Sequence, residues 1–158
     1  HINRGALNLV SCLLPWTKSS LTSGQPFNLL DLLAHPEGLA KQILNLDEVG
    51  PAFLFQLRQE ANLNPTISEK VQALEARIIA LIGAKAFEQA MPISAAPVLT
   101  TYYASPLGEL AFFSMLSTFG SPQNISLASL RVEHLFAANQ TTQELMKRLN
   151  DEIELKFF

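Results

Sequence analysis

Charge is what this sequence has least of. Of 158 residues only 16% are Asp, Glu, Lys or Arg, against about a quarter in an ordinary soluble domain. The scarcity excludes a nucleic-acid surface made by this segment alone. The residues up to Ala95 carry 7 basic and 8 acidic side chains and the rest carry 4 and 6. No Lys/Arg cluster forms, and phosphate binding needs several converging cations. Cysteine is almost missing too. Cys12 stands alone, which leaves no intramolecular disulfide and fits a cytoplasmic setting. No run of about 18 apolar residues occurs, so no membrane span is expected. The opening His1-Ile2-Asn3-Arg4 does not look like a signal peptide. A start at His1 rather than Met reads as the sign of a fragment. Gly-rich phosphate loops, a nucleophile elbow and zinc-type Cys/His/Asp spacing are all lacking. No metal and no cofactor are therefore expected.

What the chain does have is apolar residues, 48% of the total, and ten Phe. The length suits one domain spanning 1–158, which buries roughly 70% of its unfolded surface without staples. Asn3 can cap a first helix over 4–14, with Ala6, Leu7, Val10, Leu13 and Leu14 apolar. Residues 15–26 read as loop. Asn28 caps a short helix from Leu29 to Ala34, and another short helical piece covers about 37–44. Asp47 is expected to cap a helix to about Ala61, with Pro51 tolerated in its first turn. Its apolar positions are Val49, Phe53, Leu54, Leu57 and Ala61. Thr66-Ile67-Ser68-Glu69 reads as a capping box before a stripe of Val71, Leu74, Ile78 and Leu81. Gly83 caps or interrupts that helix, and a last turn or two runs from Phe87 to Met91. The period then changes. Residues 98–104, 109–119 and 125–136 read as strands, joined by Ser105-Pro106-Leu107-Gly108 and by Gly120 to Asn124, with a bulge near Ala128. In the third strand Leu130, Val132, His134 and Phe136 share a face. Thr141-Thr142-Gln143-Glu144 reads as a second capping box, opening a helix with Leu145, Met146 and Leu149 inward. The order gives an α+β fold: helices over about 1–92, an antiparallel meander over about 97–136, and a helix over about 141–153, with helices on one face of the sheet.

Several of these segments resemble a known family. Ser105-Pro106-Leu107-Gly108-Glu109-Leu110 is similar to the "hPevGEL" turn of the MmyB-like ligand-binding domain, which follows a Cro/C1-type helix-turn-helix in bacterial regulators. In the same order, Asn28-Leu29-Leu30-Asp31-Leu32-Leu33 resembles "NLLRLLF", and Leu57-Arg58-Gln59-Glu60-Ala61 resembles "LRaEA". Leu130-Arg131-Val132 stands where "LVVY" lies, and Thr142 to Leu149 stands where "sAeALrLLa" lies. Ile2-Asn3-Arg4-Gly5-Ala6 is similar to "wNrAa". Each motif is weak alone; their shared order carries the match. The resemblance implies a PAS-like sheet curled around a cavity under helices, with its first strand or strands upstream of His1. It also implies regulation of transcription by a small apolar ligand such as a fatty acid, with DNA held only through an absent helix-turn-helix domain. Phe87 and Ala90 replace the family's Trp-x-x-His pair. Ser94-Ala95-Ala96-Pro97 replaces its basic loop, which puts the partner of a charged headgroup in doubt.

Each chemical candidate also has a plain structural reading. His35, before Pro36, reads as a surface residue. His134 reads as a hydrogen-bonded, semi-buried imidazole before it reads as a ligand. Cys12, on an apolar helix, reads as an inert buried thiol. Asp151, Glu152 and Glu154 read as a solvated tail. The aromatics pack a core or line a pocket. The expected ligand set is Phe53, Leu57, Arg58, Tyr102, Phe112, Met115 and His134, with Arg58 and Tyr102 at a carboxylate headgroup; the plain reading of Arg58 is a salt bridge. Three functions compete. The first is a ligand sensor acting as a homodimer. The second is a ligand-free dimerisation module using the first helix and Phe157-Phe158. The third is an enzyme of apolar substrates, disfavoured because no acid–base pair is recognisable.

Overall fold

The computed structural model describes residues 3–18, 28–90, 99–118 and 131–155. Helix α1 spans Arg4–Leu13, and the Asn3 side chain accepts the Ala6 N–H as its cap. A 3₁₀ turn, Pro15–Thr17, follows. Helix α2, Leu29–Ala34, begins behind Asn28, whose side chain accepts the Leu30 N–H. Helix α3 is one turn, Leu39–Gln42. Helix α4, Leu46–Leu63, and helix α5, Ser68–Ile82, form an antiparallel pair around the 3₁₀ turn Pro65–Ile67. Gly83, at φ 85°, ends α5 and opens α6, Ala84–Gln89; only a residue without Cβ takes that angle cheaply. Strands β1, Thr100–Ser105, β2, Gly108–Thr118, and β3, Arg131–Ala137, form an antiparallel sheet in the order β1-β2-β3. Helix α7, Gln140–Leu155, closes the chain. The molecule is α+β, as the order of periodicities predicts.

Three expected caps do not form where the sequence places them. Helix α4 starts after Asn45, not at Asp47, which lies in its first turn. Pro51 therefore falls in the second turn, where its missing N–H leaves the Asp47 carbonyl without its helical donor. The Thr66 box does not form: Asn64 takes both the Thr66 N–H and the Thr66 hydroxyl, at 3.3 and 2.6 Å. Asn139, not Thr141, caps α7 by accepting the Thr142 N–H at 2.8 Å, and Glu144 pairs with Gln140 instead. Of the three asparagines only Asn139 caps its helix with its side chain; Asn64 caps the short 3₁₀ turn, and α4 and α5 begin without a side-chain cap. The 120–124 turn, the bulge near Ala128, Met91, Phe157 and Phe158 lie outside the described residues.

One apolar cluster holds the helices to the sheet. It joins Leu9 and Leu13 of α1, Leu54 and Leu57 of α4, Val71, Leu74 and Ile78 of α5, and Leu110 and Phe112 of β2. Leu81, expected in the α5 stripe, is exposed. Polar links fix the outer contacts. Lys70 of α5 pairs with Asp31 of α2, and Arg77 donates to the Pro36 carbonyl. Asn8 of α1 donates to Asn150 of α7 at 2.8 Å. The hydroxyl of Thr142, fully buried, accepts the Ala111 N–H at 2.8 Å and so pins α7 to β2.

Candidate functional site

The strand register decides which candidates meet. The turn at Pro106 and Leu107 pairs Ser105 with Gly108, so Tyr103 lies opposite Leu110 and Tyr102 opposite Ala111. On the far side Met115 lies opposite His134, and Phe113 opposite Phe136. Successive side chains of a strand point to opposite faces. Leu110, Phe112 and Tyr103 therefore face the helices, while Tyr102, Phe113, Met115, His134 and Phe136 face away. The seven expected ligand residues are divided by the sheet. Phe53 and Leu57 of α4 and Phe112 of β2 come together in or against the core cluster. Tyr102, Met115 and His134 sit on the opposite face. Phe112 and Met115 are three residues apart on one strand, and an odd separation puts them on different sides.

Arg58 is already engaged. Its guanidinium forms a two-pronged pair with Glu75 of α5, Nε to Oε2 at 3.2 Å and a terminal nitrogen to Oε1 at 2.6 Å. A bidentate pair of this kind satisfies the planar fork. His134, expected semi-buried, is exposed and lies 6.3 Å from the ring of Phe136. Phe136 stacks on Phe113 at 5.3 Å.

Tyr103 is the group that pattern reading missed. It packs against the core cluster, edge-on to Phe112 at 6.3 Å and 65°. Loss of water around its phenol, reinforced by the Glu133 charge, pushes its pKa up to about 12. The signal was available: counting back from a two-residue turn assigns Tyr103, not Tyr102, to the side of Leu110. Asn45 was missed as well. Its amide donates to the Thr100 carbonyl at 2.9 Å and accepts the Tyr102 N–H at 3.0 Å. The Leu44 N–H bonds the Tyr102 carbonyl at 2.8 Å. The side chain thus imitates a neighbouring strand, covers part of the β1 edge and ties the start of α4 to the sheet.

Beyond the sheet, a cleft of about 440 Å³ opens between α3 and the α5–α6 junction, lined by Ile43, Leu44, Leu81 and Ala86 with Lys41 and Asp47. His35 is exposed, as expected, and its ring lies 4.5 Å from Trp16. The Trp16 indole donates to the Glu37 carbonyl at 3.1 Å, and Lys41 beside the Glu37 carboxyl lowers its pKa. Cys12 is half-buried, and burial raises its thiol pKa against the opposing pull of Lys18. That setting favours the inert thiol. Among the described residues no cluster of His, Cys, Asp and Glu is arranged for a metal, and no helix is long and apolar enough to cross a membrane.

Apolar residues from strand and helix thus meet on one side of an antiparallel sheet. The family model of the MmyB-like transcription regulator ligand binding domain matches residues 1–149, and the chain belongs to that family. It is thus a ligand-binding domain of the transcription-regulator class, with a regulatory, ligand-sensing role. No curated protein and no solved structure matches it significantly.

Proposed function

We propose that residues 1–158 act as one PAS-like sensor that takes up a small apolar molecule of the fatty-acid kind between the sheet and the helices. Family membership over residues 1–149 carries this reading. The concentration of Phe53, Leu57 and Phe112 against one face of the sheet supports its location. Binding there shifts the balance between two conformations or two dimer arrangements, which requires different ligand affinities in the two states. A cytoplasmic helix-turn-helix region of the same regulator reads that shift at DNA. Of the other expected ligand residues, Arg58 takes part only by leaving Glu75. Tyr102, Met115 and His134 contribute from the outer face, to contacts between two copies. The domain works as a regulator rather than an enzyme. Denaturing purified protein in organic solvent and weighing the extract by mass spectrometry tests this. A near-stoichiometric acyl species is expected. An empty extract, with no heat of binding on titration with dodecanoate, rejects it.

A second reading is favoured by one observation. Met115 and Phe136 are 56% and 43% exposed on the outer face, and apolar groups gathered on an open face mark contact surfaces. On this reading the domain pairs without ligand, and sedimentation of lipid-free protein shows the same dimer with or without added dodecanoate.

A further inference from the structure

The cleft beside α3 gathers two leucines that the core leaves out. Leu44, just after α3, and Leu81, in the last turn of α5, are both exposed, yet both line the same opening of about 440 Å³. Small-molecule clefts span about 300–1,000 Å³, and this one falls among them. Its floor is core: Ala40 and Leu46 are buried, and Ile43 and Ile82 pack against the apolar cluster. One wall is fixed to the sheet, since the Leu44 N–H bonds the Tyr102 carbonyl at 2.8 Å and Ile43 bridges to Tyr103. The other wall turns the corner at Gly83, from Leu81 and Ile82 of α5 to Ala86 of α6. Phe53, Leu57 and Phe112 do not line it, so it is separate from the face beneath the sheet.

The two charged residues of the cleft differ in what they leave unmet. Lys41 is engaged: its ammonium donates to both carboxylate oxygens of Glu37, at 2.9 and 2.7 Å. Asp47 is not. Among the described residues its carboxylate has no hydrogen-bond or ion-pair partner. An anion is poorly served here. The start of α4 would attract one, but Asp47 and Glu48 already stand in its first turn and repel a further negative charge. Lys85, next to Ala86 in sequence, does not line the cleft. A molecule with a cationic end meets the opposite case, with apolar contact for its body and an open carboxylate for its head.

We propose that this cleft binds a small molecule with an apolar body and a protonated amine, the body held by Leu44 and Leu81 and the amine oriented by Asp47. The site does not depend on a ligand beneath the sheet. Methyl NMR of the delipidated chain, titrated with octylammonium, octanol and octanoate, tests it. The Leu44 and Leu81 methyls should shift with octylammonium at the lowest concentration. Octanol should need about three to five times more, the worth of one exposed ion pair, and octanoate more still. Asp47→Asn should bring octylammonium level with octanol and leave octanol unchanged. Leu81→Asn, at an exposed position, should weaken both. Octanoate binding as tightly as octylammonium, an Asp47→Asn protein that keeps the original order, or no shift with any of the three overturns the inference. Shifts at the Leu57 and Leu110 methyls without shifts at Leu44 and Leu81 overturn it as well, while the sensor reading stands.

Discussion

The two faces of the sheet are built from the same strands, the same backbone hydrogen bonds and nearly the same residue types. Toward the helices stand Leu110, Phe112 and Tyr103; away from them stand Phe113, Met115, His134 and Phe136. The first set is joined to the cluster of leucines from α1, α4 and α5. In the second, Met115 and Phe136 are exposed, Phe113 stacks on Phe136 and His134 lies beside it. A solvated face of an antiparallel sheet usually reads polar, and this one does not. Apolar composition therefore does not mark the core here. Register divides these two sets, and it descends from one turn at Pro106 and Leu107.

The largest effect should come from truncating matched residues on the two faces. Leu110 has no accessible surface, and Leu110→Ala should cost about 2–5 kcal/mol in urea unfolding. Met115→Ala should stay within about 0.5 kcal/mol, as exposed substitutions do. Equal costs would break the comparison, because they would mean that the outer face is covered in solution. A Met115→Ala cost that rises with protein concentration would identify the cover as a second copy.

The next effect concerns how the helix side stays covered. Thr142 is the point where α7 is pinned to β2, and its hydroxyl is the acceptor for the Ala111 N–H. Thr142→Val keeps the shape and removes the acceptor, leaving a buried donor unmade at about 1–3 kcal/mol. Thr142→Ser should restore most of it. Amide hydrogen exchange at Ala111 should accelerate in the valine variant alone; unchanged protection would mean that the hydrogen bond does not hold the helix.

The same contrast explains how far the sequence could be read. Local signals carried the elements. Asn3 and Asn28 cap their helices where expected, and Leu29–Ala34 and the Ser105–Gly108 turn stand as read. Caps failed where a motif was read without its neighbours: Asn139 caps the helix assigned to Thr141, Asn64 binds Thr66 in a separate 3₁₀ turn, and Asn45 precedes α4 with its side chain turned to the sheet. Thr142 had a reason not visible locally, since its hydroxyl serves a strand 31 residues away. The site was less legible because it depends on pairing. Phe53, Leu57 and Phe112, chosen by apolar spacing, lie together in or against the core cluster. Tyr102 and Met115 were chosen by residue type, without carrying parity around the turn, and Arg58 by charge, without sight of Glu75.

Adjacent tyrosines give the finest test of that parity, and the effect is the smallest because it vanishes at neutral pH. Desolvation, with the Glu133 charge behind it, pushes the Tyr103 phenol up to about 12, against about 10 in an unfolded chain. The folded state thus holds its proton where the unfolded state has begun to lose it. Stability falls wherever the unfolded state binds fewer protons. The contribution is therefore complete below the unfolded pKa and drains away as pH rises toward the folded one. Solvent contact at the residue keeps the loss modest. Absorbance of phenolate followed with pH should show a late-titrating group in the folded protein that Tyr103→Phe abolishes, and the alkaline slope of unfolding stability should flatten in the same variant. If Tyr102→Phe removes the late step instead, the faces have been assigned the wrong way round, and the turn does not set the register from which the site was built.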